Sequence, residues 1–161
     1  MHEQLDIPDL LLALMEQAPA GFAIGLHVRY QTPSLMFQTY PVKWLTEYSH
    51  EGLVLHDPTI TWAAGHLGLI SWEELKDQDP AGVFEKARAH GILHGFAVSL
   101  ERGGSRSLGS FARGDRPFAP EEVETSRALM TALHDATAST SRLSPETREA
   151  LRRLSVAFTQ P

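Results

Sequence analysis

The ten residues from Gly21 to Tyr30 constrain this chain more than any other stretch. Phe22, Ile24, Leu26, Val28 and Tyr30 alternate with Ala23, Gly25, His27 and Arg29, and a period of two puts the first set on one face of a β-strand. Such a strand needs a partner strand and a layer that buries its apolar face, so the fold must contain a covered sheet. The Gln31-Thr32-Pro33 break, followed by Leu35-Met36-Phe37, predicts that partner as the second arm of an antiparallel hairpin.

Helices are predicted around this hairpin. Pro8, behind Asp6 and Ile7, opens a helix carrying Leu10, Leu11, Leu14 and Met15, which ends before Pro19 and Gly21. Pro41 starts a second with Val42, Trp44, Leu45 and Tyr48, stopped at Gly52. Asp57-Pro58 opens a third, running to about Leu67-Gly68. Ser71 with Glu74 makes a capping box around Trp72, and Asp79-Pro80 opens a helix with Val83, Phe84 and Ala87, closed by Gly91. Ile92 to Leu100 and Ser105 to Arg113 flank Glu101-Arg102-Gly103-Gly104 as a second hairpin. From Pro120 to about Thr140, Val123, Ser126, Met130, Leu133 and Thr137 mark a long amphipathic helix. After a Ser/Thr cluster, Pro145 restarts a short helix with Leu151, Leu154 and Phe158. The expected class is α+β, an α-β-α sandwich with a central antiparallel sheet and helices on both faces. Residues 41 to 90 cover one face and leave a pocket against it.

With 161 residues there is room for one full core, and residues 1–140 are assigned to it. No apolar run approaches the roughly 18 to 20 residues of a membrane span, no secretory leader is apparent, and the absence of Cys excludes disulfide and thiolate chemistry. A cytoplasmic location is expected. A net charge of -6 argues against a nucleic-acid surface, and the Arg142, Arg148, Arg152, Arg153 group is interleaved with Glu146 and Glu149. A phosphate loop, a nucleophile elbow and a metal-binding histidine pair are all missing. Of the eight histidines only His90 and His94 are closely spaced, and Gly91 lies between them. No enzyme, metal or cofactor is expected.

The functional signal is aromatic and acidic. Tyr40, Trp44 and Tyr48 are four apart and form one ridge. Each position also has a structural reading: the ridge as core, Asp57 as a helix cap like Asp79, and Trp72 as a core residue behind Ser71. Polar tips on large rings, which need partners when buried, favour a polar ligand end.

In order, Tyr40-Pro41-Val42-Lys43-Trp44-Leu45-Thr46-Glu47-Tyr48, His56-Asp57-Pro58-Thr59, Ile70-Ser71-Trp72 and Ala87-Arg88-Ala89-His90-Gly91 with Gly95 resemble the acyl-homoserine-lactone-binding domain of LuxR-type quorum-sensing regulators, over about residues 8 to 140. The resemblance implies that Trp44 donates to the lactone carbonyl, Asp57 accepts the ligand amide N–H and Tyr48 bonds the acyl carbonyl, while Tyr40 and Trp72 wall the head group. Thr59, beside Asp57, joins this set. Some members place a Ser or Thr on the last strand where this chain has Ala112, so Ser110 is the expected substitute and both belong to the candidate site. The connection at Gln31 to Pro33 is shorter than the loop many members use to cover the acyl chain.

The resemblance extends to partners. Leu143 to Leu151 resembles the opening of the family's helix-turn-helix unit, so residues 141–161 read as a linker and the start of that unit, and this chain alone is expected not to bind a specific operator. The implied partners are a small-molecule signal and a second subunit, in a homodimer joined through the helix from Pro120 or a heterodimer with a LuxR-type regulator. Two functions follow: a signal-binding sensor domain, or a naturally truncated interaction protein that pairs with a full-length regulator and inhibits it.

Overall fold

The computed structural model describes residues 6–30 and 32–138, together with Glu149. The helix expected from Pro145 and the place of Gln31 lie outside the described residues. Between residues 6 and 138, six helices and five strands are described, in the order α1 (Ile7–Gln17), β1 (Gly21–Arg29), β2 (Thr32–Gln38), α2 (Val42–His50), α3 (Pro58–Gly65), β3 (Gly68–Ser71), α4 (Trp72–Leu75), α5 (Val83–Arg88), β4 (His94–Arg102), β5 (Ser105–Arg113) and α6 (Pro120–Ala136). A 3-10 turn, Leu53–His56, joins α2 to α3. No helix among the described residues is long and apolar enough to cross a membrane.

The strands form one sheet in the order β2-β1-β5-β4-β3, every pairing antiparallel. Leu10, Leu11 and Leu14 of α1 and Met130 and Leu133 of α6 bury one face of it against Phe22, Ile24, Leu26, Phe96 and Phe111. On the opposite face Trp44, Leu53, Trp72, Val83, Ala87 and Ile92 pack with Ala112 in a second cluster. The three-layer α+β sandwich expected from the sequence is therefore the observed architecture. At roughly 1.5 to 3 kcal/mol per buried large apolar side chain, the first cluster is the main source of stability.

Local signals explain the ends of the elements. Asp6 caps α1 by accepting from Asp9 N–H at 3.0 Å, and the capping box of Ser71 and Glu74 holds α4. Gly103 and Gly104 have φ of 62° and 75°, the two left-handed residues that a two-residue hairpin turn demands, so β4 runs on to Arg102.

Three details differ from the sequence expectation. Gly68–Ser71 is a fifth strand, paired with Ser99 to Phe96 on β4; four residues between a helix end and a capping box are too few to display a period. Asp79-Pro80 does not begin α5. Its first residue is Val83, after a left-handed Gly82, and the Asp79 carboxylate reaches forward to the Val83 and Phe84 N–H groups at 2.8 and 2.9 Å.

The third difference interrupts β1 itself. Its register against β5 shifts between Gly25 and Val28, and His27 there adopts φ 52°. This β-bulge takes His27 into the layer under α6 and turns Val28 to the opposite face, so the alternation read from the sequence ends at Leu26. Tyr30 is fully exposed rather than part of the apolar face.

His27 anchors a buried polar network. Its Nε2 lies 3.0 Å from both the His134 carbonyl and Thr137 Oγ1, and its Nδ1 lies 2.6 Å from Ser105 Oγ. A carbonyl only accepts, so Nε2 carries the hydrogen and Ser105 donates to Nδ1. The same logic applies to His134, whose Nε2 faces the Arg102 carbonyl at 3.1 Å and whose Nδ1 faces Ser107 Oγ at 2.7 Å. Ser107 Oγ in turn accepts the His27 backbone N–H at 3.0 Å. With both rings neutral every group has a partner. Burial, reinforced by His134 beside it, holds the His27 imidazole below its ordinary pKa.

Candidate functional site

A cavity of about 770 Å3 opens between the sheet and the helices of residues 42 to 88, within the range of small-molecule sites. Its floor is the face of β1, β2 and β5 that carries Ala23, Gly25, Val28, Met36, Leu108 and Ser110. Its roof is built from α2, the 3-10 turn and α3, with α4 and α5 at one side.

Asp57 is the electrostatic centre. As N-cap of α3 it accepts the Thr59 N–H at 2.9 Å and the Thr59 hydroxyl at 2.6 Å on Oδ1, and the Tyr48 hydroxyl at 2.7 Å on Oδ2. Helical spacing on α2 explains the last contact, because the Tyr48 ring meets the edge of Trp44 at 5.6 Å between centroids. Three hydrogen bonds make a carboxylate that is only 8% exposed tolerable. Burial, with Asp57 nearby, pushes the Tyr48 phenol well above its ordinary pKa, and burial does the same to Tyr40. Both therefore remain hydroxyl donors.

Tyr40 and Trp72 converge on β5. The Tyr40 hydroxyl donates to the Ser110 carbonyl at 3.3 Å, and Trp72 Nε1 donates to Ser110 Oγ at 3.2 Å. Glycines seat both rings: a Cβ on Gly21 would lie 2.5 Å from Tyr40, and one on Gly95 only 2.4 Å from the Trp72 indole. Phe84 stacks on Trp72 at 5.3 Å. The Trp44 ring is 5% exposed and packs near His90, itself held by Glu47 at 2.9 Å. Its N–H has no acceptor among the described residues.

Tyr40, Trp44, Tyr48, Asp57, Thr59, Trp72 and Ser110 thus all lie on the cavity wall. Ala112 does not. It is fully buried in the apolar cluster behind the wall, opposite Gly21 and Gly95 in the sheet. Among the described residues no group of three or more metal-ligating side chains is assembled.

Sequence reading missed Arg106. This β5 side chain reaches across the cavity edge to the carbonyls of Ala63, Ala64 and His66 at 2.6, 3.1 and 2.7 Å, and to Ser99 Oγ at 3.3 Å. It closes the C-terminal end of α3, sharing the Ala63 carbonyl with the Ser99 hydroxyl and supplying a donor to the carbonyls of Ala64 and His66. Only the hairpin register brings it beneath α3, so no local motif announces it.

Comparison with known proteins gives a consistent picture. Residues 19–137 match the family described as the autoinducer binding domain. The chain is 31% identical over 90 residues to the transcriptional activator protein SolR of Ralstonia nicotianae, a stretch that is 55% of this chain and 38% of SolR. It therefore spans well under half the length of that curated relative. Two solved structures share the fold at 19% identity. One is the N-acylhomoserine lactone dependent LuxR family factor CepR2 from Burkholderia cenocepacia, with TM-score 0.61 over 82% of this chain and 80% of that one. The other is SdiA in complex with octanoyl-rac-glycerol, with TM-score 0.62 over 99% of this chain and 72% of that one.

Proposed function

The chain belongs to the autoinducer-binding domain family of LuxR-type regulators, and from that premise we propose that its cavity receives an N-acyl-homoserine lactone or a similar acylated signal. The observation that carries this reading is the pairing of a fixed buried acceptor with the unpaired N–H of a largely buried indole. Oδ1 of Asp57 already takes two hydrogen bonds, whereas Oδ2 takes one and keeps a lone pair for a ligand N–H. The Trp44 N–H supplies the complementary donor for a carbonyl. A ligand with an amide N–H beside a lactone carbonyl satisfies both.

Other groups fill the remaining roles. Ser110 Oγ accepts from Trp72, which only donates, so its own hydrogen is directed to another acceptor; this supplies the donor that a Ser or Thr at Ala112 gives in other members. Tyr48, whose one hydroxyl hydrogen goes to Asp57 Oδ2 in the free protein, turns it to the acyl carbonyl when the ligand N–H takes its place on that oxygen, Thr59 holds Asp57 in place, and Tyr40 and Trp72 enclose the head group. Each hydrogen bond involving the carboxylate contributes about 1.5 to 3 kcal/mol net, and each buried CH2 of the tail about 0.8 kcal/mol before ordering costs. The octanoyl ligand of SdiA supports an acylated molecule in a fold of this kind. In this reading the domain acts as the sensor of a dimeric cytoplasmic transcription regulator, joined through α6, and carries out no catalysis.

A thermal-shift screen against lactones of varied chain length tests the proposal. A ligand at about 100 times its Kd stabilises the folded state by roughly 2.7 kcal/mol, so at least one lactone should raise Tm. Asp57→Asn should abolish that rise and Trp44→Phe should reduce it. A panel that leaves Tm unchanged throughout would remove the lactone reading.

A further inference from the structure

His90 lies in the Ala87 to Gly91 segment that shares in the family resemblance, yet neither it nor its partner Glu47 lines the cavity. The turn that carries it is closely specified. Gly91, at φ 80°, lets the chain reverse after α5, with the Gly91 N–H on the Arg88 carbonyl at 3.1 Å and the Ile92 N–H on the Ala87 carbonyl at 3.2 Å. His90 is thereby presented to α2, where its Nε2 lies 2.9 Å from Glu47 Oε1 and its ring centroid 5.5 Å from that of Trp44. A carboxylate only accepts, so Nε2 carries the hydrogen. A second rung, Lys86 to Glu51 at 2.9 Å, joins the same two helices one turn along, with its side chains 37% and 39% exposed.

Among the described residues two rings contact the Trp44 indole, and a carboxylate anchors each: Asp57 holds the Tyr48 hydroxyl at 2.7 Å, and Glu47 holds His90. The anchors differ once a ligand arrives. Tyr48 gives up its bond to Asp57 when it turns to the acyl carbonyl, whereas the bond between His90 and Glu47 lies off the cavity wall and persists. No bond of its own sets the direction of the indole N–H in the free protein. We propose that His90 is a positioning residue: anchored by Glu47, it holds the Trp44 ring with its N–H towards the ligand's ring carbonyl. The proposal rests on the reading of Trp44 as the donor to that carbonyl. An indole fixed beforehand loses less freedom on binding, and the gain goes only to ligands that use its N–H.

The test compares calorimetric Kd values for N-octanoyl-homoserine lactone and N-cyclopentyl octanamide, which keeps the amide and the tail but lacks the ring carbonyl. His90→Leu and Glu47→Ala should lower the lactone's advantage about fivefold, the worth of one neutral hydrogen bond, and leave the Kd of the cyclopentyl ligand within about twofold. Glu47→Gln, whose amide oxygen still accepts from Nε2, should restore the advantage, and Glu51→Ala, which breaks only the second rung, should not alter it. Adding His90→Leu to Trp44→Phe should have no further effect. An advantage that survives His90→Leu, or one that Glu51→Ala lowers equally, would overturn the proposal. A second measurement needs no ligand: the Trp44 indole N–H resonance in a two-dimensional NMR spectrum, assigned by its loss in Trp44→Phe, should move in Glu47→Ala and return in Glu47→Gln. If the wild type shows no preference for the lactone, the head-group reading falls, and this resonance alone decides whether His90 holds the ring. A resonance unmoved in Glu47→Ala would show that it does not.

Discussion

The Trp72 indole lies flat over Gly95, so close that a Cβ on Gly95 would fall 2.4 to 2.6 Å from three atoms of the ring. The glycine is needed here for close approach, not for an unusual backbone angle. Gly95→Ala is therefore expected to lift the indole from its seat and break its bond to Ser110, lowering stability by about 1 to 3 kcal/mol and weakening the ligand about tenfold. Tryptophan fluorescence and ligand titration report the two effects. An alanine variant with native emission and affinity would refute this account of the wall.

Asp57 and Trp44 should separate stability from binding. Removing the Asp57 carboxylate strands the hydroxyls of Tyr48 and Thr59 and the Thr59 N–H, so Asp57→Ala is expected to destabilise the free protein by about 1 to 3 kcal/mol as well as abolish binding. Trp44→Phe removes an N–H that holds no partner, so the free protein should change far less, by the small difference in ring packing alone. Urea unfolding of both variants without ligand makes the comparison.

The His27 and His134 network predicts sensitivity to acid. The folded-state pKa of His27 is lowered, so below the ordinary histidine value of about 6.5 the unfolded chain binds more protons than the folded one. The contribution is complete above that pH and is lost as pH falls towards the folded-state value. The groups facing the pair are Ser105 and Ser107 from β5, Arg102 from β4, and Thr137 and Asp135 beside α6's end. Stability measured in urea should fall between pH 7 and pH 5. His27→Asn, a residue that tolerates the left-handed backbone, should flatten that slope. An identical slope in the variant would place the acid sensitivity elsewhere.

Arg106 should govern α3. Arg106→Ala leaves the carbonyls of Ala63, Ala64 and His66 without this donor and is expected to cost about 1 to 3 kcal/mol. Hydrogen exchange should quicken in α3 first. Ligand affinity should drop in parallel, because the other end of that helix begins with Asp57.

Much of this arrangement was legible in the sequence because its determinants are local. Asp6, Ser71 and Glu74 mark helix starts by contacts within three residues, the Gly103-Gly104 pair specifies its own turn, and the spacing of Tyr40, Trp44 and Tyr48 follows the helical repeat. What escaped depends on tertiary register. β3 is a strand because β4 lies beside it, and Arg106 reaches α3 only because β4 and β5 pair as they do. The displacement of α5 from Asp79-Pro80 to Val83 reflects a carboxylate that caps across an intervening Gly82. The family resemblance put Ala112 in the candidate site, but it packs in the apolar cluster beneath the helices.

The bulge at His27 has a consequence for how this domain can vary. Through one extra residue, β1 contributes Leu26 and His27 to the layer beneath α6 and Val28 to the ligand cavity. Removing His27 would restore simple alternation, with Leu26 still in the core and Val28 still on the cavity floor. The layer beneath α6 would lose the ring on which its polar network is built. Leu26 answers to the core, His27 to the polar network and Val28 to the cavity, so the extra residue is what lets one strand serve the scaffold and the receptor together.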